Sequence, residues 1–294
     1  MATRLIECAA NFSEGRRNDV LDAIGAAIAG VPEVRLLDLH KDPDHNRSVF
    51  TFAGPPEPVA EAAVRAAGVA ASLIDLTQHA GVHPRIGAAD VIPFVPIEGV
   101  TLEECAALAT WAGEQIWLRH RVPVYLYEAA ARNPDRRRLE QIRRGGFEKL
   151  RDDPTRCPDF GGPALHPTAG ASAVGARKFL IAFNINLDTA DVTIAKRIAS
   201  SIRTSSGGFP HVKALGVALE SRGQTQVTMN LTDFEVTSIQ TVYGAVRDQA
   251  AALGAGVAGI EFIGLVPRKA LASGGFPLAA DVDPGAILEN RLNA

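Results

Sequence analysis

Residues 78–90 hold the densest chemistry in the chain: His79, His83, Arg85 and Asp90 fall there together. An imidazole titrates near neutrality and can take or return a proton. A guanidinium presents a planar fork that suits a carboxylate. Gly81, Pro84 and Gly87 interrupt regular structure between these side chains. His79 and His83 are four apart, the spacing of two zinc ligands on one helix face. Gly81 lies between them, Pro84 follows directly, and the glutamate of H-E-x-x-H is missing, so a metal pair is disfavoured. The residue before a proline is held out of the helical region. His83 is therefore expected on extended backbone, as a single acid/base group. The plainer reading is a hydrogen-bonded structural histidine; Arg85 and Asp90 close by tip the balance toward chemistry.

Three further stretches carry candidate residues. Glu7-Cys8-Ala9-Ala10-Asn11-Phe12-Ser13-Glu14-Gly15 ends a strand before a helix, where Asn and Ser serve as caps and turns. Asp38-Leu39-His40-Lys41-Asp42-Pro43-Asp44-His45-Asn46-Arg47-Ser48 mixes acids with His and Arg. It reads as a solvated loop or a site of hard ligands, and it lacks the calcium-loop spacing. Gly161-Gly162-Pro163-Ala164-Leu165-His166-Pro167-Thr168-Ala169-Gly170 is small and irregular, so its backbone can approach a ligand or simply link two parts. The runs at 135–138 and 143–144 read as a solvated helix face. Asn184 and Asn186 share a strand face with Ala182 by period 2 and need polar partners. G-x-G-x-x-G at 254–259 follows a helix and precedes a strand, the reverse of the dinucleotide fingerprint, so no nicotinamide cofactor is assigned.

The elements that must position these residues repeat. Strand 4–10, helix 18–29, strands 34–39 and 48–53, helix 57–76 and strand 90–95 give β-α-β-β-α-β. Pro56 is well placed at the start of the second helix. Helix 102–118 and strand 122–127 are added to the first half, and 134–175 is read as irregular. Strand 178–186, helix 190–203 capped by Asp188 or Thr189, strands 213–220 and 226–231 around a turn at 221–224, helix 236–253 and strand 258–265 repeat the order. The expected fold is α+β: two ferredoxin-like halves, 1–177 and 178–294, each an antiparallel sheet with helices on one face. A ligand groove or tunnel is expected between them.

Composition narrows the function. The chain has 294 residues, 47% apolar and 21% charged, with a formal net charge of −3. A nucleic-acid binder would carry a basic stripe, so no nucleic-acid partner is expected. The three cysteines, Cys8, Cys105 and Cys157, are odd in number and form no C-x-x-C, which fits a reducing cytosol. The first residues lack the apolar core of a signal peptide, and no uncharged apolar run reaches membrane-spanning length.

The stretch 79–90 resembles the hallmark H-x-G-x-H-P-R-x-G-A-x-D of the glutamate formiminotransferase family. The resemblance extends to N-F-S-E-G at 11–15, where Ala10 replaces a proline, and to the N-R-S-V segment at 46–49. It continues through the run from P-D-F-G to G-A-R at 158–177 and reaches Leu271. It implies two ferredoxin-like subdomains and transfer of a formimino group from N-formimino-L-glutamate to tetrahydrofolate, the co-substrate, in histidine degradation and one-carbon metabolism. By the motif His83 is the catalytic base, and no metal is expected. Arg85, Asn11, Asp38, Arg47 and His79 are expected at the substrate, with Asp38 or Asp90 orienting an imidazole. The segment 161–170 is expected to line the folate site, with Ala169 where some members carry a stacking Trp. The chain is expected to be the stand-alone form without a cyclodeaminase domain, a homodimer acting on small molecules. Formyl transfer to glutamate, a metal-dependent formiminoglutamate hydrolase and a non-catalytic folate-binding module are the alternatives.

Overall fold

Alternation sets the first sheet: in Leu5–Phe12 (β1), Ile6, Cys8, Ala10 and Phe12 are fully buried, facing the helices. In this computed structural model the described residues are 4–293, apart from Asp44, Val82, His83, Glu220, Ser221, Gly274, Leu278, Ala280 and Asp281. The chain divides into two compact units, Met1–Arg177 and Lys178–Ala294.

The first unit continues with α1 (Asn18–Ala29), β2 (Arg35–Asp42), β3 (Arg47–Gly54), α2 (Pro56–Leu73) and β4 (Ala89–Glu98). Then come α3 (Leu102–His120), β5 (Val124–Glu128), the short helices α4 (Leu139–Ile142) and α5 (Gly146–Arg151), and β6 (Ser172–Ala176). The sheet order is β2-β3-β1-β4-β6-β5. Pairing is antiparallel from β2 to β4, while β6 runs parallel to both β4 and β5. Phe12, Phe50, Phe52 and Phe94 are fully buried in the core of this unit, and burial of each such side chain contributes about 1.5–3 kcal/mol.

Two expectations are corrected here. The first sheet is mixed, because β6 is an inner strand at 172–176 where irregular chain was expected. Ser-Ala-Val-Gly-Ala offers one β-branched residue, so its strand character comes from burial between two neighbours and not from propensity. The second helix ends at Leu73, not at 76. Asp75 Oδ1 accepts from the Thr77 amide at 2.9 Å, and the Leu76 amide donates to Thr168 O at 2.8 Å. Both groups leave the helical ladder for the loop.

The second unit has β7 (Ile181–Leu187), α6 (Val192–Ile202), β8 (Val212–Leu219), β9 (Gln224–Leu231), α7 (Ile239–Ala252) and β10 (Val257–Ile263). Its sheet, β10-β7-β9-β8, is antiparallel throughout and matches β4-β1-β3-β2 of the first unit strand for strand. Four strands of the first unit thus recur in the second, which among the described residues has no counterpart of β5 and β6 in its sheet. The cap of α6 is Asp191, whose Oδ1 accepts from the Thr193 amide at 2.9 Å. Asp188, expected there, accepts from the Gly256 amide at 2.6 Å and anchors the glycine-rich loop before β10. Glu220 and Ser221, the expected strand end and turn start, lie outside the described residues. The buried amides find protein partners: Gln226 Nε2 donates to Asn186 Oδ1 at 2.8 Å, and Asn184 Nδ2 donates to Glu261 at 3.4 Å.

The inner strand β6 can be tested at Gly175. A Cβ there would lie 2.4 Å from Tyr127 O and 2.5 Å from its ring. Gly175→Ala is expected to lower unfolding stability by about 1–3 kcal/mol through overpacking. An unchanged urea midpoint would contradict the placement of β6.

Candidate active site

The loop between α2 and β4 is shaped by contacts far away in sequence. Ala88 N–H donates to Ala169 O at 2.9 Å, and Ala171 N–H donates to Ile86 O at 2.9 Å. Gly87 and Gly170 pair across this seam. A Cβ on Gly87 would sit 2.0 Å from Ala171 O, and one on Gly170, at φ 71°, 2.1 Å from Ile86 O. Only glycine permits so close an approach. On the other side, Ser13 Oγ donates to Gly87 O at 2.7 Å and Ser13 N–H to Ala88 O at 2.9 Å. Three motifs, joined by contacts that span 74 or more positions of the chain, thereby meet within one unit.

Asp90 holds the loop from inside. It is 2% exposed, and its Oδ1 accepts from the amides of Ile86 (2.7 Å) and Gly87 (3.2 Å). Its Oδ2 accepts from Arg143. Both oxygens are therefore committed to the loop and to Arg143. This scaffold role is one that the sequence reading did not give Asp90. α5 braces the loop as well: Phe147 N–H donates to Arg85 O at 2.8 Å, and Glu148 accepts from Arg85 at 2.9 Å.

Ser13, His45, Asn46, Arg47, His79, Arg85 and Asp90 line a small cleft beside this loop. His79 Nε2 lies 2.9 Å from Asn46 O. A carbonyl only accepts, so Nε2 carries the proton and Nδ1 presents a bare lone pair. That Nδ1 is buried without a partner among the described residues. Burial lowers the His79 pKa below 6.5; the Asn46 carbonyl opposes this and the Arg85 charge adds to it. The Asn46 side chain accepts from the Gly15 amide at 3.0 Å and donates to Ala80 O at 3.2 Å, tying the three segments together. Arg85 donates to His79 O at 3.1 Å, while its buried Nε has no partner among the described residues. Burial, then Arg143, pull the Arg47 guanidinium below its ordinary range, against Asp42 and Asp90. Burial alone would raise the pKa of Glu14, yet donation from Arg17 and Arg16 holds it below 4.5. An imidazole and two guanidiniums, the group types that serve proton transfer and anion binding, thus meet in a cleft closed too tightly to admit a water molecule.

Of the residues expected at the site, His79, Arg85 and Arg47 share this cleft. His83 lies outside the described residues. Asn11 lies on β1 opposite Val49 and Val91, its amide donating to Ala9 O at 3.2 Å. It shares the strand face away from the helices with Glu7, whose pKa burial pushes up to about 7 against Arg177. Asp38 sits on the edge strand β2 opposite Thr51. Neither Asn11 nor Asp38 lines the cleft. In 161–170, Gly161 has φ 109° against Pro123 and Trp117, and His166 Nδ1 accepts from the Ala169 amide at 3.0 Å. Leu165 and Ala169 are buried, while Pro163, Ala164 and Pro167 are exposed. Ala169 is committed on both sides of its backbone, to His166 and to Ala88.

The sequence reading missed Ser13, Asn46, Arg143 and Glu148. The solvated-face reading of 135–144 is corrected for two arginines: Arg143 reaches Asp90, and Arg136 pairs with Asp159 at 2.6 Å over the Tyr125 ring. No periodicity could mark them, because their partners lie 53 and 23 positions away.

Residues 5–177 match the formiminotransferase domain, N-terminal subdomain, and residues 182–280 match the formiminotransferase domain. The chain belongs to the formiminotransferase family. It is 44% identical to a glutamate formimidoyltransferase of Streptococcus pyogenes over 91% of each chain. It is 43% identical to one of Thermoplasma acidophilum over 98% of this chain and 97% of that one. It is also 45% identical to the formimidoyltransferase-cyclodeaminase of Mus musculus, of whose length it spans 51%. In this family member the hallmark loop, the N-F-S-E-G segment and the 161–170 segment form one hydrogen-bonded assembly within the N-terminal subdomain.

Two measurements probe this assembly. Asp90→Asn leaves Arg143 without its charge partner, and breaking such a buried pair costs about 3–5 kcal/mol. A loss below about 1 kcal/mol in denaturant unfolding would contradict the assigned anchor. For His79, the lowered pKa means that the folded protein binds fewer protons than the unfolded chain just below pH 6.5. Stability is then complete above 6.5 and is lost as pH falls through that window. His79→Asn is expected to flatten this dependence; identical pH profiles for the two proteins would refute the neutral, buried ring.

Proposed function

We propose that the protein transfers the formimino group of N-formimino-L-glutamate to N5 of tetrahydrofolate, releasing L-glutamate. The observation that carries this reading is near full-length similarity to two glutamate formimidoyltransferases, at 43–44% identity. N5 attacks the amidine carbon, and a tetrahedral intermediate forms. His83 takes the N5 proton as the new C–N bond forms. It returns the proton to the glutamate nitrogen as the old C–N bond breaks. One histidine near neutrality serves both steps. Arg85 and Arg47 hold the substrate carboxylates through their planar forks. His79, neutral and tied to Asn46, holds the wall of the pocket and offers its free lone pair to a ligand N–H.

The finer parts of the reading belong here too. Each unit is a ferredoxin-like β-α-β-β-α-β module, a view supported by the shared strand order. The 161–170 segment carries the folate, supported by its seam with the hallmark loop. Asn11 and Asp38 contact substrate from the strand face beside it. The protein works as a cytoplasmic homodimer, in keeping with free thiols at Cys8, Cys105 and Cys157. No metal takes part.

A spectrophotometric assay with tetrahydrofolate and formiminoglutamate, run with and without chelator, tests the reaction and its metal independence. His83→Ala is expected to lower kcat by about 10²–10⁴-fold, the usual cost of losing a positioned general base. His79→Ala is expected to lower it less. Equal losses accompanied by metal release, or activity abolished by the chelator, would favour a metal-dependent hydrolase instead.

A further inference from the structure

The stretch 133–156 carries eight Lys/Arg against five Asp/Glu, in a chain whose net charge is −3. Within the first unit it folds around a cleft of about 970 Å³, the upper end of the range for small-molecule sites. Arg136, Arg137, Arg138, Arg144, Lys149 and Arg156 line it, with only Asp135 and Asp153 as carboxylates. Two of these cations are built into the wall. Arg156 donates to the carbonyls of Arg144 (2.9 Å), Gln141 (3.0 Å) and Ile142. Arg136 pairs with Asp159 and covers the Tyr125 ring, 5.1 Å from its centroid. The other four are exposed, and among the described residues none has a carboxylate within salt-bridge distance.

Like charges gathered in one cleft repel one another and favour a ligand that brings several negative charges. Arg136 occupies the one aromatic face in the lining, so recognition there rests on charge and hydrogen bonds. Guanidinium forks and a lysine point charge both match phosphate oxygens. We propose that this cleft binds a small molecule bearing a chain of two or more phosphates. This goes beyond the transfer reaction, neither substrate of which carries phosphate, and the two readings fail independently.

The test is calorimetric titration of the full chain with inorganic triphosphate and with magnesium-free ATP, using citrate as the carboxylate comparator. Triphosphate is expected to bind with an affinity that weakens as salt rises. The triple variant Arg137→Gln, Arg138→Gln, Lys149→Gln is expected to bind it about tenfold more weakly or worse. The control Lys196→Gln, Arg197→Gln, which removes two exposed cations of α6, is expected to bind as the parent does. ATP binding as tightly as triphosphate, or tighter, supports recognition of the phosphate chain, with or without a nucleoside. No binding of triphosphate, citrate binding as tightly as triphosphate, or equal losses in the two variants would overturn the proposal.

Discussion

A single carboxylate orders the candidate site. Asp90 is buried, and it accepts from two loop amides and from Arg143. A charge this deep is tolerated only because all of its partners are in place. The consequence is geometric. With the amides of Ile86 and Gly87 drawn inward, the Ile86 carbonyl faces outward, where the Ala171 amide meets it. Arg85 and His79 are then set beside Arg47 and Asn46 in one cleft. Removing the carboxylate would release a loop that has no helix or strand of its own.

The seam between 86–88 and 169–171 depends on the same constraint. Gly87 and Gly170 let two backbones approach more closely than any side chain allows. A segment expected to belong to folate is thereby joined to a loop expected to belong to the amino-acid substrate. For a transfer reaction this is a physical requirement as much as a packing detail. Two reactants gain rate when both are held by parts that cannot move independently.

The electrostatics follow from burial. His79 lies among guanidiniums and half out of water, so its neutral form is favoured. Arg47 feels burial and Arg143 together. The basic cleft at 133–156 differs in kind. Its cations are mostly exposed, and its wall is the same segment whose Arg143 and Glu148 brace the hallmark loop.

The chain by itself determined the repeated β-α-β-β-α-β order, because strand alternation, helix periodicity and Pro or Gly punctuation are local signals. Asn18–Ala29 and Leu102–His120 begin where their sequences predict. The hallmark loop was legible for the same reason: its histidines, arginine and glycines lie within a dozen positions. Only the tertiary structure decided that Ser172–Ala176 is an inner strand, since five small residues carry no strand signal until two neighbours bury them. It also decided that Asp90 serves Arg143 and the loop amides, and that Arg143 leaves the solvated face. Those outcomes rest on partners 53 positions apart, brought together by a sheet order that no local pattern encodes.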